Sequence, residues 1–89
     1  MDNFAGIIFS GEFDQDQHMF YLTQVRNLET ASILSEGQLK LLIDYLTQQN
    51  ESCTVLVNDQ LPVLLKQEEV MQLRKELTII INQLNNTYS

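Results

Sequence analysis

The chain is short of cations. Twelve acidic residues face five basic ones, for a formal net charge of −7 over 89 residues. Direct binding to DNA, RNA or an anionic membrane needs a cationic footprint, so the balance argues against those ligands. It is compatible with a basic protein partner, although an acidic excess also serves solubility alone. Cysteine occurs once, at Cys53. An internal disulfide is therefore impossible, and a reducing cytoplasm is the natural setting. No cationic segment followed by an apolar one opens the sequence, so no signal peptide is expected. The longest apolar runs fall far short of the ~20 residues of a membrane span. The expectation is a soluble, cytoplasmic protein.

Glycine occurs three times and proline once. No linker or low-complexity tail interrupts the chain. Hydrophobic residues make up 44%, enough to fold rather than stay disordered. The length suits one domain spanning residues 1–89. A chain of this size buries only about 60–65% of the surface that its unfolded form exposes. Its core is modest, and a partner or a second copy is a natural source of added stability.

What remains is an alternation of strand and helix signals. Residues 4–13 are rich in strand-formers, with Ala5, Ile7, Phe9, Gly11 and Phe13 on one face. Residues 19–25 are again aromatic and β-branched. With Gln15-Asp16-Gln17 as the loop, Phe13 would face Met19, Gly11 Tyr21, Phe9 Thr23 and Ile7 Val25. That register makes one face of the ribbon apolar. A helix over 18–29 competes, through Met19, Leu22, Val25 and Leu28, but the side-chain types favour a strand. Gly6 and Gly11 suggest close backbone approach or a bulge.

Ser35 with Gln38 forms a capping-box pattern, and Leu39, Leu42, Ile43 and Leu46 continue it at helical spacing. A helix over about 36–49 is expected. Residues 53–57 and 61–65 flank Asn58-Asp59-Gln60, the best hairpin signal in the chain. Cys53, Val55, Val57, Leu61, Val63 and Leu65 would share its apolar face. Pro62 cannot donate to a ladder, which marks an edge strand. Val70, Leu73, Leu77, Ile80 and Leu84 then define a helix over about 67–85. A faint repeat at an offset of 31 aligns Leu34 with Leu65, Leu42 with Leu73 and Leu46 with Leu77. It supports a further strand near 30–34. The expected fold is α+β: hairpins at about 4–19/25 and 53–65 against two helices, in the order β-β-(β)-α-β-β-α.

The most chemically suggestive stretch is Glu12-Phe13-Asp14-Gln15-Asp16-Gln17-His18. In one extended strand Glu12, Asp14, Asp16 and His18 would share a face, as oxygen and imidazole ligands of a metal do. The calcium-loop pattern fails, because Met19 stands at the glycine position and Val25 at the final Glu. The hairpin register also moves Asp16 to the tip, with Asp14 and His18 across the loop base. The reading is a solvated hairpin tip that serves recognition, not a metal site. Cys53 has no cationic neighbour to stabilise a thiolate and reads as a packed strand cysteine. No nucleophile elbow, phosphate loop or metal-binding histidine pair is present. No catalytic residue, metal or cofactor is expected.

The last helix has more apolar residues than one seam uses, notably Ile79 and Ile81. They either pack on the other helix or lie on an association surface. Three functions follow. The first is a non-enzymatic interaction module that binds another protein as regulator, inhibitor or adaptor and forms a homodimer. Its candidate contact residues are Glu12, Asp14, Asp16, His18, Ile79 and Ile81. The second is an acidic mimic that fills the basic groove of a nucleic-acid-binding protein. The third is an enzyme or metal protein built on His18 and the nearby acids.

Overall fold

The computed structural model describes residues 3–49, 51–57 and 61–85. Strands β1 (Asn3–Ala5), β2 (Phe9–Asp14), β3 (Met19–Val25) and β4 (Leu28–Ser35) lead into helix α1 (Glu36–Thr47). Strands β5 (Cys53–Val57) and β6 (Leu61–Leu65) lead into helix α2 (Gln67–Asn85). The first four strands form one antiparallel sheet in sequence order, and β5–β6 form a second, two-stranded one. This is the α+β fold that the residue pattern predicts. Both β3-β4-α1 and β5-β6-α2 read strand, strand, helix, and the helices begin at Glu36 and Gln67, at the offset of the faint repeat.

Residues 19–25 form a strand, not a helix. Their pairing differs from the expected register. Asp14 pairs with Met19, Phe13 with Phe20, Glu12 with Tyr21 and Gly11 with Leu22. The register then slips, so that Ser10 pairs with Gln24 and Phe9 with Val25. The loop thus spans four residues, 15–18, instead of three. The physical reason lies in the apolar spacing of β3. Phe20, Leu22 and Val25 are all buried, and no regular strand turns all three to one face. A bulge at Thr23 absorbs the odd residue, and the Thr23 hydroxyl donates to the Ser10 carbonyl at 3.1 Å.

Gly11 sits at this slip. A Cβ there would strike the Tyr21 carbonyl and stand 2.8 Å from Phe20 Cζ. Its lack of a side chain lets the two strands close around the aromatic cluster. Phe13 and Phe20 rings lie 5.1 Å apart, and Phe4 meets them edge-on at 6.5 and 6.4 Å.

The segment 4–13 is not one strand. The chain leaves β1 at Gly6 and returns antiparallel as β2, pairing Asn3 with Glu12 and Ala5 with Ser10. The Gly6 N–H donates to the Phe9 carbonyl at 2.8 Å to close the turn. The turn corrects the expected face: Ile8 and Phe9 enter the core, while Ile7 is 75% exposed.

At α1 the capping box forms as expected. The Gln38 N–H donates to Ser35 Oγ, and the Ser35 N–H donates to Gln38 Oε1. The helix ends at Thr47, two residues before the expected 49. The N–H groups of Gln48 and Gln49 bond the Tyr45 and Leu46 carbonyls, tightening the exit. Helix α2 has the predicted span, and all five of its seam residues are buried. Glu69 reaches back to accept from the Lys66 N–H at 2.9 Å, half of a capping box.

The second hairpin has its expected register, with Cys53 opposite Leu65, Val55 opposite Val63 and Val57 opposite Leu61. Val55, Val63 and Leu65 are buried and Cys53 is half-buried. The loop 58–60 and the side chains of residues 57 and 61 lie outside the described residues. Strand β6 is an edge strand, as Pro62 requires.

Candidate interaction surfaces and the buried carboxylate

The acidic turn joins β2 to β3. Asp14 accepts the Gln17 N–H at 3.2 Å on one oxygen and the Tyr21 hydroxyl at 2.9 Å on the other. That bond, with some burial and the nearby charge, holds the Tyr21 phenol above its usual pKa. Glu12 is half-buried on β2, and Asp16 is exposed at the tip. His18 takes a left-handed backbone conformation, φ 54°, to turn the chain into β3.

Asp14 and His18 do not pair across the loop base but take separate partners. His18 Nδ1 lies 3.9 Å from Glu36, the first residue of α1. Glu36 also accepts from Lys40 Nζ at 2.8 Å. With its amide nitrogen turned toward Glu36, Asn85 donates to it at 2.9 and 3.1 Å. The Lys40 bond is the main reason that the Glu36 carboxyl sits below the usual carboxylate range. Among the described residues, no three His, Cys, Asp or Glu side chains stand close enough to hold a metal ion. Cys53 has its thiol pKa raised by burial, which works against a thiolate.

A different carboxylate dominates the interior. Glu76 of α2 is buried, and its oxygens meet the chain at the β1–β2 turn. Oε1 accepts the Phe9 N–H at 2.8 Å and Oε2 the Ile7 N–H at 2.8 Å. The Ile8 N–H lies 3.2 Å from both. Gln72 Nε2, one turn earlier on α2, donates to Oε2 at 2.9 Å. Three successive backbone N–H groups and one amide thus surround the charge, a nest for an anion supplied by the protein itself. Gly6 makes the approach possible, since a Cβ there would lie 2.5 Å from Glu76 Oε1. With all these donors engaged, Glu76 is a structural anchor. Its residue type and local sequence offer no reason to single it out as functional. The available signal was its position, three residues after Leu73 and four before Ile80, inside the core-facing arc.

Ile79 and Ile81 part company. Ile81 packs half-buried against the core, while Ile79 remains 47% exposed. Two further surfaces stand out. On the hairpin β5–β6, the alternation that buries Val55 and Val63 turns Thr54, Leu56, Pro62 and Leu64 outward. Leu56 is 59% and Leu64 64% exposed. Tyr45 of α1 reaches the same hairpin, its hydroxyl donating to the Thr54 carbonyl at 3.2 Å. Between the two helices runs an open groove of about 420 Å³, lined by Ile43 and Thr47 of α1 and by Met71, Arg74, Lys75 and Thr78 of α2.

Among the described residues, no helix is long and apolar enough to cross a membrane. No family model matches the chain, and neither does any curated protein or solved structure.

Proposed function

We propose that the chain is a non-enzymatic protein-interaction module that works as a homodimer and acts on another protein as a regulator, inhibitor or adaptor. The outer face of the β5–β6 hairpin carries this reading. Thr54, Leu56, Pro62 and Leu64 form an uncharged, largely apolar face on a ribbon that no third strand joins among the described residues. Its inner face packs on the core, and exposed apolar residues grouped on its outer face favour association. The choice of a second copy follows from charge. At a net charge of −7, most surfaces of two copies repel each other. A twofold interface brings like residues together, so a face without charge is where copies can meet.

Size-exclusion chromatography with light scattering tests the reading. The native chain is expected to run as a dimer at micromolar concentration. Leu64→Lys should run as a monomer with an unaltered circular dichroism spectrum, because the side chain points away from the core. A native chain that stays monomeric at high micromolar concentration would remove the reading's support.

A further inference from the structure

We infer that the groove between α1 and α2 receives a short acidic, amphipathic segment of a partner protein. The proposal rests on the interaction-module reading but is independent of self-association, because its residues lie on the helices and not on the hairpin.

Charge singles out the groove. Of the five basic residues in the chain, Arg26 pairs with Glu69 at 3.1 Å and Lys40 with Glu36 at 2.8 Å, while Lys66 lies beside Glu69 just before α2. Arg74 and Lys75 are consecutive and both line the groove. Among the described residues, neither has a carboxylate oxygen within 4.0 Å. In a strongly acidic chain, two adjacent cations left free of such partners form a local site of the opposite sign. The two charges locally oppose the field of the acidic chain, and the guanidinium offers a planar, forked donor set for a carboxylate.

The remaining walls define the other half of the ligand. Ile43 and the 55%-exposed Met71 supply apolar surface from opposite helices. Methionine is well suited to a contact that adapts to varied side chains. The two threonines do not compete for the cations as anions would. The Thr47 hydroxyl donates to the Ile43 carbonyl at 2.7 Å and the Thr78 hydroxyl to the Arg74 carbonyl at 2.9 Å, each within its own helix. The groove therefore asks for carboxylates flanking an apolar side chain. Its size suits a few residues of a peptide rather than a flat protein face. A second copy is a poorer occupant, because the uncharged hairpin face proposed to join two copies offers no carboxylate to Arg74 and Lys75.

The test is selection of random short peptides, displayed on phage, against the immobilised full chain. Peptides retained by the native chain are compared with those retained by Arg74→Glu/Lys75→Glu. The milder Arg74→Ala/Lys75→Ala is run beside it, in case charge reversal disturbs the helix. The native chain is expected to enrich peptides with two or more Asp or Glu beside Leu, Ile, Phe or Met. Synthetic copies of the winners should bind roughly tenfold or more weakly to either folded variant, the size of a lost charge-assisted contact. Their binding should also weaken with added salt. The same peptides should be selected by the monomeric Leu64→Lys chain, so failure of the dimer leaves this result standing. Enrichment of basic or neutral peptides, equal binding to the alanine variant, or no enrichment over it would each overturn the proposal. So would conversion of a native dimer to a monomer by the Arg74 and Lys75 changes, which would assign the groove to a second copy.

Discussion

The turn between β1 and β2 and the hairpin β5–β6 both lie against α2 and the core, yet they are held in different ways. The turn offers three backbone N–H groups to the interior, and the helix answers with Glu76. Those three N–H groups and the carboxylate are bonded to one another inside the chain. Among the described residues, the hairpin is held on its inner side by Val55, Val63 and Leu65, with Cys53 packed half-buried beside them, and it leaves Leu56 and Leu64 in water. The lesson is that the most conspicuous charge in the structure serves folding. The plain apolar alternation of the hairpin is what faces outward.

Breaking the anchor should have the largest effect. Glu76→Ala removes the acceptor for three N–H groups, two of them buried, and is expected to cost about 3 kcal/mol or more, since hydrogen bonds to charged groups contribute about 1.5–3 kcal/mol and stranded donors add desolvation. Glu76→Gln keeps the shape but brings an amide N–H₂ toward other donors, so it should fall between alanine and the native chain. Urea denaturation of the three proteins measures this ordering. If alanine and glutamine both melted like the native chain, the anchor would be an onlooker.

The next effect concerns strand approach. Gly11→Ala would press a methyl group against the Tyr21 carbonyl, and overpacking of this kind costs about 1–3 kcal/mol. Backbone cannot swing aside as a long side chain can. Gly37→Ala is the contrast, because the nearest atom a Cβ would meet there, Ser35 Oγ, is 3.9 Å away. It should be neutral or slightly stabilising, by up to about 1 kcal/mol. Paired thermal melts of the two variants would sharpen the distinction between a required and an incidental glycine.

On the hairpin, Leu56→Lys should change monomer stability by no more than about 0.5 kcal/mol, the usual range for an exposed site, while abolishing association. A large loss of stability without any change in molar mass would place Leu56 in the core instead.

The smallest effect comes from acid. Glu36 and Glu69 both have carboxyls shifted below the ordinary value of 4.5, through bonds from Lys40 and from the Lys66 N–H respectively. A carboxyl that loses its proton more readily when folded stabilises the fold above its unfolded pKa. That contribution drains away as pH falls through and below 4.5. Because both groups are solvent-screened, the decline should be shallow. Melting temperatures recorded from neutral to acid pH should show a weaker decline in Lys40→Ala, which removes the main cause at Glu36.

Much of this architecture was legible in local pattern. The Ser35–Gln38 cap and the seam from Val70 to Leu84 are encoded within a few residues of one another. So is the register that places Val55 opposite Val63, because a three-residue loop leaves little room for an alternative. The first hairpin was less legible. Its alternation admits two registers, and the choice came from packing Phe13 against Phe20 and from a bulge that rescues the odd spacing of Val25. The acidic turn could be read as a turn, but not the separation of Asp14, which bonds Tyr21, from His18, which lies beside Glu36.

Local sequence determined most of where strands and helices lie, which side of each helix is oily, and that the chain carries few cations. Those properties follow from neighbours within one or two turns. Tertiary structure decided the break at Gly6, the burial of Glu76 beneath it, and the isolation of Arg74 and Lys75 from any carboxylate among the described residues. Each of these depends on groups up to 69 positions apart, and a charge or an N–H reveals its partner only when the folded chain brings the two within hydrogen-bonding distance.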